Sequence, residues 1–553
     1  MTIRKYPVLL LALVWGCSGE TPPAISTAGG TVVIAASSDP DILFPPAVEN
    51  IEGQQAAELV YEYLADVGPA MNTIGDNGFI HQVASDWSWA RDSLSIAFHL
   101  NPAARWQDST PVTSRDVAFT FSVYRDSIAS PSTASALPDI DSVTTPDSLT
   151  AVFWFNRRTP QQFYDAAAQN LILPAHVLAS VPRDSLLAFA VSRTPVGSGK
   201  YRVGTWSRGS RFELDAVDGH YRGRAKLDRV IWSAVPEYQS AVTQLLAGAT
   251  DVYAAVRPET VRELIASGKY NVVSLPGMDY VFLRFNLRDP SSQSKPHPLF
   301  ASRELRRALT MSLDRAAMVR NLFDTLAAVP VGPTVRAYPT TDTALTQIPY
   351  ETARAARILD SLGWKRTGAD GMRARNGVPL RFKAIFPSSS MSRRRIAVLA
   401  QEQLRRVGID MRLEEMTSAA LGERQSKRDF DAVFAAFSMH SAPGMISRTW
   451  TTTAVKTGAN FGGYSNATFD ANVDSALSAR TIATSRSYFS RAFQTIVDDA
   501  PAVWLYEPKT VIAIHKRLRT GPMRPNAWWI DLADWSIPES ERIDRDKVSF
   551  GTK

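Results

Sequence analysis

Cysteine occurs once in the 553 residues, at position 17. No intrachain disulfide can therefore staple the fold, and its stability has to come from burial. About 530 residues follow Cys17, enough for two or more domains with sizeable cores. Hydrophobic residues make up 45% of the chain, with 13 Trp, 24 Phe and 16 Tyr, a composition of compact domains rather than of disorder. Ahead of Cys17, Arg4 and Lys5 precede an apolar run from Tyr6 to Trp15. A basic stretch followed by about ten apolar residues is the pattern of a secretory signal. The run is too short to cross roughly 30 Å of hydrocarbon, and no later segment is long and apolar enough to do so. The formal charge of +7 is spread thinly, with clusters no larger than Arg393-Arg394-Arg395. Nothing resembles a nucleic-acid-binding arm, so no nucleic-acid partner is expected.

The motifs of catalysis are missing. The seven histidines (81, 99, 176, 220, 297, 440 and 515) form no HExxH and no close pair suited to a metal. Gly197-Ser198-Gly199-Lys200 falls short of a phosphate loop, because Thr194 stands at the first glycine position and Tyr201 replaces the required Ser or Thr. Pro195 rules out a nucleophile elbow in the same stretch. A cysteine nucleophile is excluded by the position of Cys17. These readings make an enzyme the weaker expectation, with no cofactor and no metal demanded by any motif.

Along the chain, Ser18 to Gly30 is rich in Ser, Thr, Gly and Pro and reads as a flexible tether. Thr31–Ala36 is a short β-branched strand. Thr113 and Asp116 form a capping box that opens a helix through Phe119, Val123 and Tyr124. Helical spacing recurs over 303–323, over 351–362 before Gly363, and over 393–407 before Gly408, which leads into an alternating strand at 409–413. No solenoid repeat is present. The class is mixed α/β, in more than one lobe.

A series of segments in fixed order then carries a resemblance. It starts with Gly29 to Pro45 and continues with Ala84 to Trp89 and Ala104 to Phe121, the last holding the turn Trp106-Gln107-Asp108-Ser109-Thr110-Pro111. Pro195 to Val203 with Trp206 follows, then His220-Tyr221 with Leu227 to Val230, and Leu305 to Val319. Asp429 to Ala432, Asn460 to Tyr464 and Asp498 to Pro501 complete it. In this order they resemble the family 5 extracellular solute-binding proteins, the oligopeptide and dipeptide receptors of ABC importers. Ser109 stands where that family usually has glycine. The resemblance implies a three-lobed periplasmic binding protein (class II, cluster C-like), hinged around a ligand cleft. Lobe I would combine 31–58, 195–284 and 503–545, lobe II would be the insertion 59–194, and lobe III would be 285–502. It also implies capture of a peptide or small polar solute, delivery to a membrane permease, and a monomer. Val14-Trp15-Gly16-Cys17 resembles a bacterial lipobox, whose cysteine is diacylated, so Cys17 is the expected lipidation site. The chain is then expected in the periplasm or at the cell surface, lipid-anchored to a bacterial membrane.

At one position the sequence departs from the peptide receptors it resembles. They carry a Trp and then an Asp that pairs with the peptide α-amine after the Asp-Phe-Asp strand. Here Phe437 stands at the Trp position and His440 at the Asp position. A buried ammonium without a carboxylate partner is costly, and imidazole cannot replace one. His440 therefore points to a different polar ligand, such as a sugar, a metal chelate or a peptide held without the amine anchor. The expected cleft residues are Asp39, Asp41, Phe437, Met439, His440, Asn460 and Tyr464, each offering stacking or a polar anchor. Transport and sensing remain alternatives for the use of the captured ligand.

Overall fold

The computed structural model describes residues 29–130, 137–192, 194–367 and 371–546. The signal run, the tether as far as Ala28, and Cys17 lie outside the described residues. Three sheets organise the rest. The first has seven strands, in the spatial order 270–275, 510–515, 252–253, 31–36, 229–234, 211–216 and 201–207. Thr31–Ala36 is its central strand, buried at all six positions and parallel to both neighbours. Its β-branched run suits a strand covered on both faces.

The second sheet is a four-stranded antiparallel unit of 84–89, 95–100, 150–155 and 140–147. Phe98, Phe121, Phe153 and Phe163 pack edge to face or tilted within its core. The third sheet has six strands, in the order 327–328, 502–508, 279–285, 432–438, 381–387 and 410–416. Strands 279–285 and 502–508 both belong to this third sheet. The chain passes between the first and third sheets at Gly277, just before the one strand, and at Pro508, the last residue of the other. Residues 279–285 pair with 432–438 along their whole length, and 281–284 pair with 502–506 across a register shift between Val281 and Phe282.

The two crossings touch. A Cβ added to Gly277 would lie 1.7 Å from the carbonyl oxygen of Pro508, so only glycine fits. The passage into the second lobe is built alike. Gly199 N donates to Val60 O at 2.8 Å, and a Cβ on Gly197 would lie 2.0 Å from that same oxygen. The first sheet is thus joined to each of the other two by a pair of abutting backbone segments, a construction that permits hinge motion.

Local expectations meet the structure in instructive ways. The Thr113–Asp116 capping box is formed and opens the helix Ser114–Tyr124. The span 303–323 is two helices, Arg303–Met311 and Arg315–Phe323, because the Asp314 side chain accepts from Ala317 N and starts the second. Gly363 and Gly408 both take positive φ just past helix ends. Ser109, in the position where the resembled family has glycine, has φ +73°.

Candidate ligand-binding site

Strand 432–438 runs out of the third sheet into Met439, His440, Ser441 and Ala442. Side chains from distant parts of the chain converge on this short loop. Tyr338, buried in the third lobe, donates its hydroxyl to the carbonyls of His440 and of Ala442 (3.2 Å). Asn526, from the C-terminal stretch of the first lobe, donates Nδ2 to Ser441 Oγ at 2.8 Å. The Tyr164 hydroxyl of the second lobe also interacts with the Ser441 side chain. Burial pushes the ionisation of Tyr164 and of Tyr338 up, so both remain protonated donors.

Beside this junction, Arg524 of the first lobe reaches into the second. Its Nη2 donates to Asp66 Oδ1 at 3.0 Å and its Nη1 to the carbonyl of Val67, with both ion-pair side chains 7% exposed. Burial opposes the charge, but Asp66 and Glu58 together hold the Arg524 pKa above its ordinary value. Glu58 is half-buried and accepts from Gln54 Nε2 (3.1 Å), Tyr63 Oη (3.0 Å) and Trp529 Nε1 (2.7 Å). Burial raises its pKa, against the pull of those donors. Asp165, next to Tyr164, is pushed by burial up to about 7. The junction therefore carries aromatic hydroxyls, amides and carboxyls that resist ionisation, a setting for a polar rather than an apolar guest.

The residues expected from sequence separate into groups. Phe437, Met439 and His440 lie together at the junction. Phe437 is half-buried, and Met439 is buried with its N–H donating to Met278 O at 2.7 Å. His440 is open to solvent yet crowded by protein, and that crowding plus the Arg448 cation lowers its pKa. It is a neutral imidazole at pH 7. Asn460 is interior: Nδ2 donates to the carbonyls of Trp450, Thr451 and Tyr464, and Oδ1 accepts from Tyr464 N. Tyr464 is also buried and donates to Asp499 Oδ2 at 2.9 Å. Both side chains spend their polar atoms on the third lobe itself. Asp39 accepts from Trp206 Nε1 at 2.7 Å. Partial burial works against its charge, and the Trp206 and Gly209 hydrogen bonds with the Arg208 cation hold its pKa below the ordinary value. Asp41 accepts from Glu49 N and Asn50 N and fixes the turn before the first helix. The recorded partners of these two aspartates lie in the first lobe.

Sequence reasoning missed Tyr164, Tyr338, Arg524 and Asn526, which lie far apart in the chain. Arg284 was also missed, although a cation inside the apolar strand 279–285 is a legible anomaly.

The family model for bacterial extracellular solute-binding proteins, family 5 (middle region), matches residues 78–457. The chain belongs to this family. The oligopeptide-binding protein AppA of Bacillus subtilis (strain 168) is 25% identical over 519 residues, 92% of this chain and 91% of that protein. The structure of AppA from Bacillus subtilis in complex with a nonapeptide superposes with a TM-score of 0.75 at 23% identity, over 92% of this chain and 99% of that one. NikZ from Campylobacter jejuni, in complex with Ni(L-His), superposes equally well, with a TM-score of 0.75 at 19% identity over 92% and 99%. The lobed α/β fold of the family 5 protein is thus shared by structures whose named ligands differ in class. Among the described residues, no group of three or more His, Cys, Asp or Glu side chains is arranged to hold a metal ion.

Proposed function

We propose that this family 5 protein captures a peptide or similar small polar solute between its lobes and hands it to the permease of an ABC importer. The observation that carries the reading is the 439–442 loop, to which Tyr338, Asn526 and Tyr164 contribute from three lobes. A solute that touches this loop and either facing lobe favours the closed form by its differential contacts. Acylation of Cys17 would hold the monomeric receptor at the membrane, outside the cytoplasm, beside its permease.

His440 supports a second reading, in which the ligand is not a free peptide. A neutral imidazole next to Arg448 offers no counter-charge to an α-ammonium, and a sugar or a chelate lacks that need. The same receptor would equally serve sensing, and finding a permease gene beside its own would favour transport.

The test is a thermal-shift screen of the chain from Ser18 onward against di- to pentapeptides, their N-acetylated forms, oligosaccharides and nickel–histidine. A ligand at 100 times its Kd adds about 2.7 kcal/mol to stability. Stabilisation by any one class supports a solute receptor. Stabilisation by free peptides alone, lost on acetylation, would overturn the reading of His440. A complete lack of response would overturn solute capture.

A further inference from the structure

Strand 279–285 places Tyr280, Phe282 and Arg284 on one face. Arg284 is only 1% exposed, and none of Nε, Nη1 and Nη2 has a hydrogen-bond partner among the described residues. Rings take the place of a counter-ion. The guanidinium carbon lies 5.1 Å from the Phe282 ring, 5.2 Å from Phe437, 5.2 Å from Trp450 and 5.6 Å from Phe461. Trp504 packs on the same rings, 6.0 Å from Phe282 and 5.1 Å from Trp450, and its buried Nε1 also has no acceptor among the described residues. The neighbouring Trp450 Nε1 is satisfied, donating to Tyr280 Oη at 2.9 Å. Backbone geometry makes room for the cation. A Cβ on Gly462 would meet the Arg284 Cγ and Cδ at 3.2 Å and the Phe285 carbonyl at 2.6 Å.

A buried charge without a hydrogen-bonding partner is costly, and cation–π attraction offsets only part of that cost. The orphaned atoms are all nitrogen donors, four on two side chains. Acceptor atoms satisfy such a set, negative charge beside the guanidinium strengthens the contact, and a planar carboxylate matches the guanidinium fork. Phe437 and Phe461 are the half-buried walls of the box. Phe437 stands three residues before His440, on the strand that ends at the lobe junction.

We propose that the Arg284 box is a gated carboxylate subsite of the ligand cleft, which Phe437 opens by swinging aside so that Arg284 pairs with an anionic group of the bound solute. This inference rests on the reading of the chain as a solute receptor, and it narrows the solute to one bearing a carboxylate.

The test titrates the chain from Ser18 onward with sodium acetate and sodium formate, against sodium chloride at matched ionic strength, and follows the melting temperature. Wild type should show a saturable rise specific to the carboxylates. Phe437→Ala, with the gate removed, should respond at severalfold lower concentration. Arg284→Met should keep or raise its melting temperature without ligand and lose the carboxylate response. Equal responses in wild type and Arg284→Met would overturn the proposal. So would identical midpoints in wild type and Phe437→Ala, a comparison that stands even if the Arg284 variant fails to fold. Failure here leaves the solute screen untouched, whereas failure of that screen leaves these titrations readable.

Discussion

Arg524→Met cuts the contact by which the C-terminal stretch of the first lobe grips the second. The substitution keeps the length of the aliphatic stem and removes the guanidinium. Asp66 then stays behind, 7% exposed at its side chain, with Val67 N (2.7 Å) its one remaining hydrogen-bond donor among the described residues. Removing one partner of a buried ion pair costs about 3–5 kcal/mol, because the other charge remains desolvated. Glu58 loses the attraction of the Arg524 cation as well and keeps the repulsion of Asp66. For roughly 500 ordered residues, the unfolding entropy is about 1 kcal/mol/K, so the melting temperature should fall by about 3–5 °C. The assay is a paired thermal and urea melt of wild type, Arg524→Met, Asp66→Asn and the double variant. Because the neutral amide introduced by Asp66→Asn needs no cation, the double variant should recover much of the loss, a coupling of about 2 kcal/mol or more. A drop below about 1 °C, or strictly additive single losses, would refute the view that this pair locks the two lobes.

Other outcomes follow from single positions. Ser109→Gly should raise stability by about 1 kcal/mol, since a left-handed conformation costs a non-glycine residue about 1–2 kcal/mol; an unchanged urea midpoint would contradict the strain at φ +73°. Gly277→Ala should impair folding or closure, because its Cβ would collide with Pro508 O; a variant with wild-type melting and ligand response would refute the hinge geometry. Asp165 has a folded pKa of about 7 against an unfolded value of 3.8. Its folded state therefore favours the proton, and the stability it supplies at low pH is lost as pH rises from about 4 through 7. Asp165→Asn should then melt higher than wild type at pH 8, by an amount that corresponds to about 1–2 kcal/mol after allowance for solvent access, and equal to it at pH 4. A difference independent of pH would exclude this origin.

Much of the fold was legible because its signals are local. The buried β-branched run 31–36, the Thr113–Asp116 box, and Gly363 and Gly408 behind their helices each act over a few residues. The order of short segments disclosed the family for the same reason. The break at 312–314 was missed because hydrophobic spacing continues through it, whereas Asp314 caps a new helix. The sheet that a strand joins is decided by its partners, and 279–285 pairs with strands some 150 and 220 residues away, beyond the reach of local spacing. The site was legible only in part. Phe437, Met439 and His440 lie on one short stretch, but Tyr164, Tyr338, Arg524 and Asn526 converge only in three dimensions. Asn460 and Tyr464 have the chemistry of ligand contacts, yet it is consumed by carbonyls and by Asp499.

The central claim is that the lobes close on a solute at the 439–442 loop. Because the only cysteine is Cys17, the chain from Ser18 onward accepts two unique labels, Ile128→Cys on the second lobe and Val378→Cys on the third, both at exposed positions. The decisive measurement is the spin-label distance distribution between them, with and without a solute that raises the melting temperature. A broad distribution that narrows and shortens on binding, and does so less in Tyr164→Phe with Ser441→Ala, is the predicted result. Tight binding with an unchanged distribution would contradict closure at this loop.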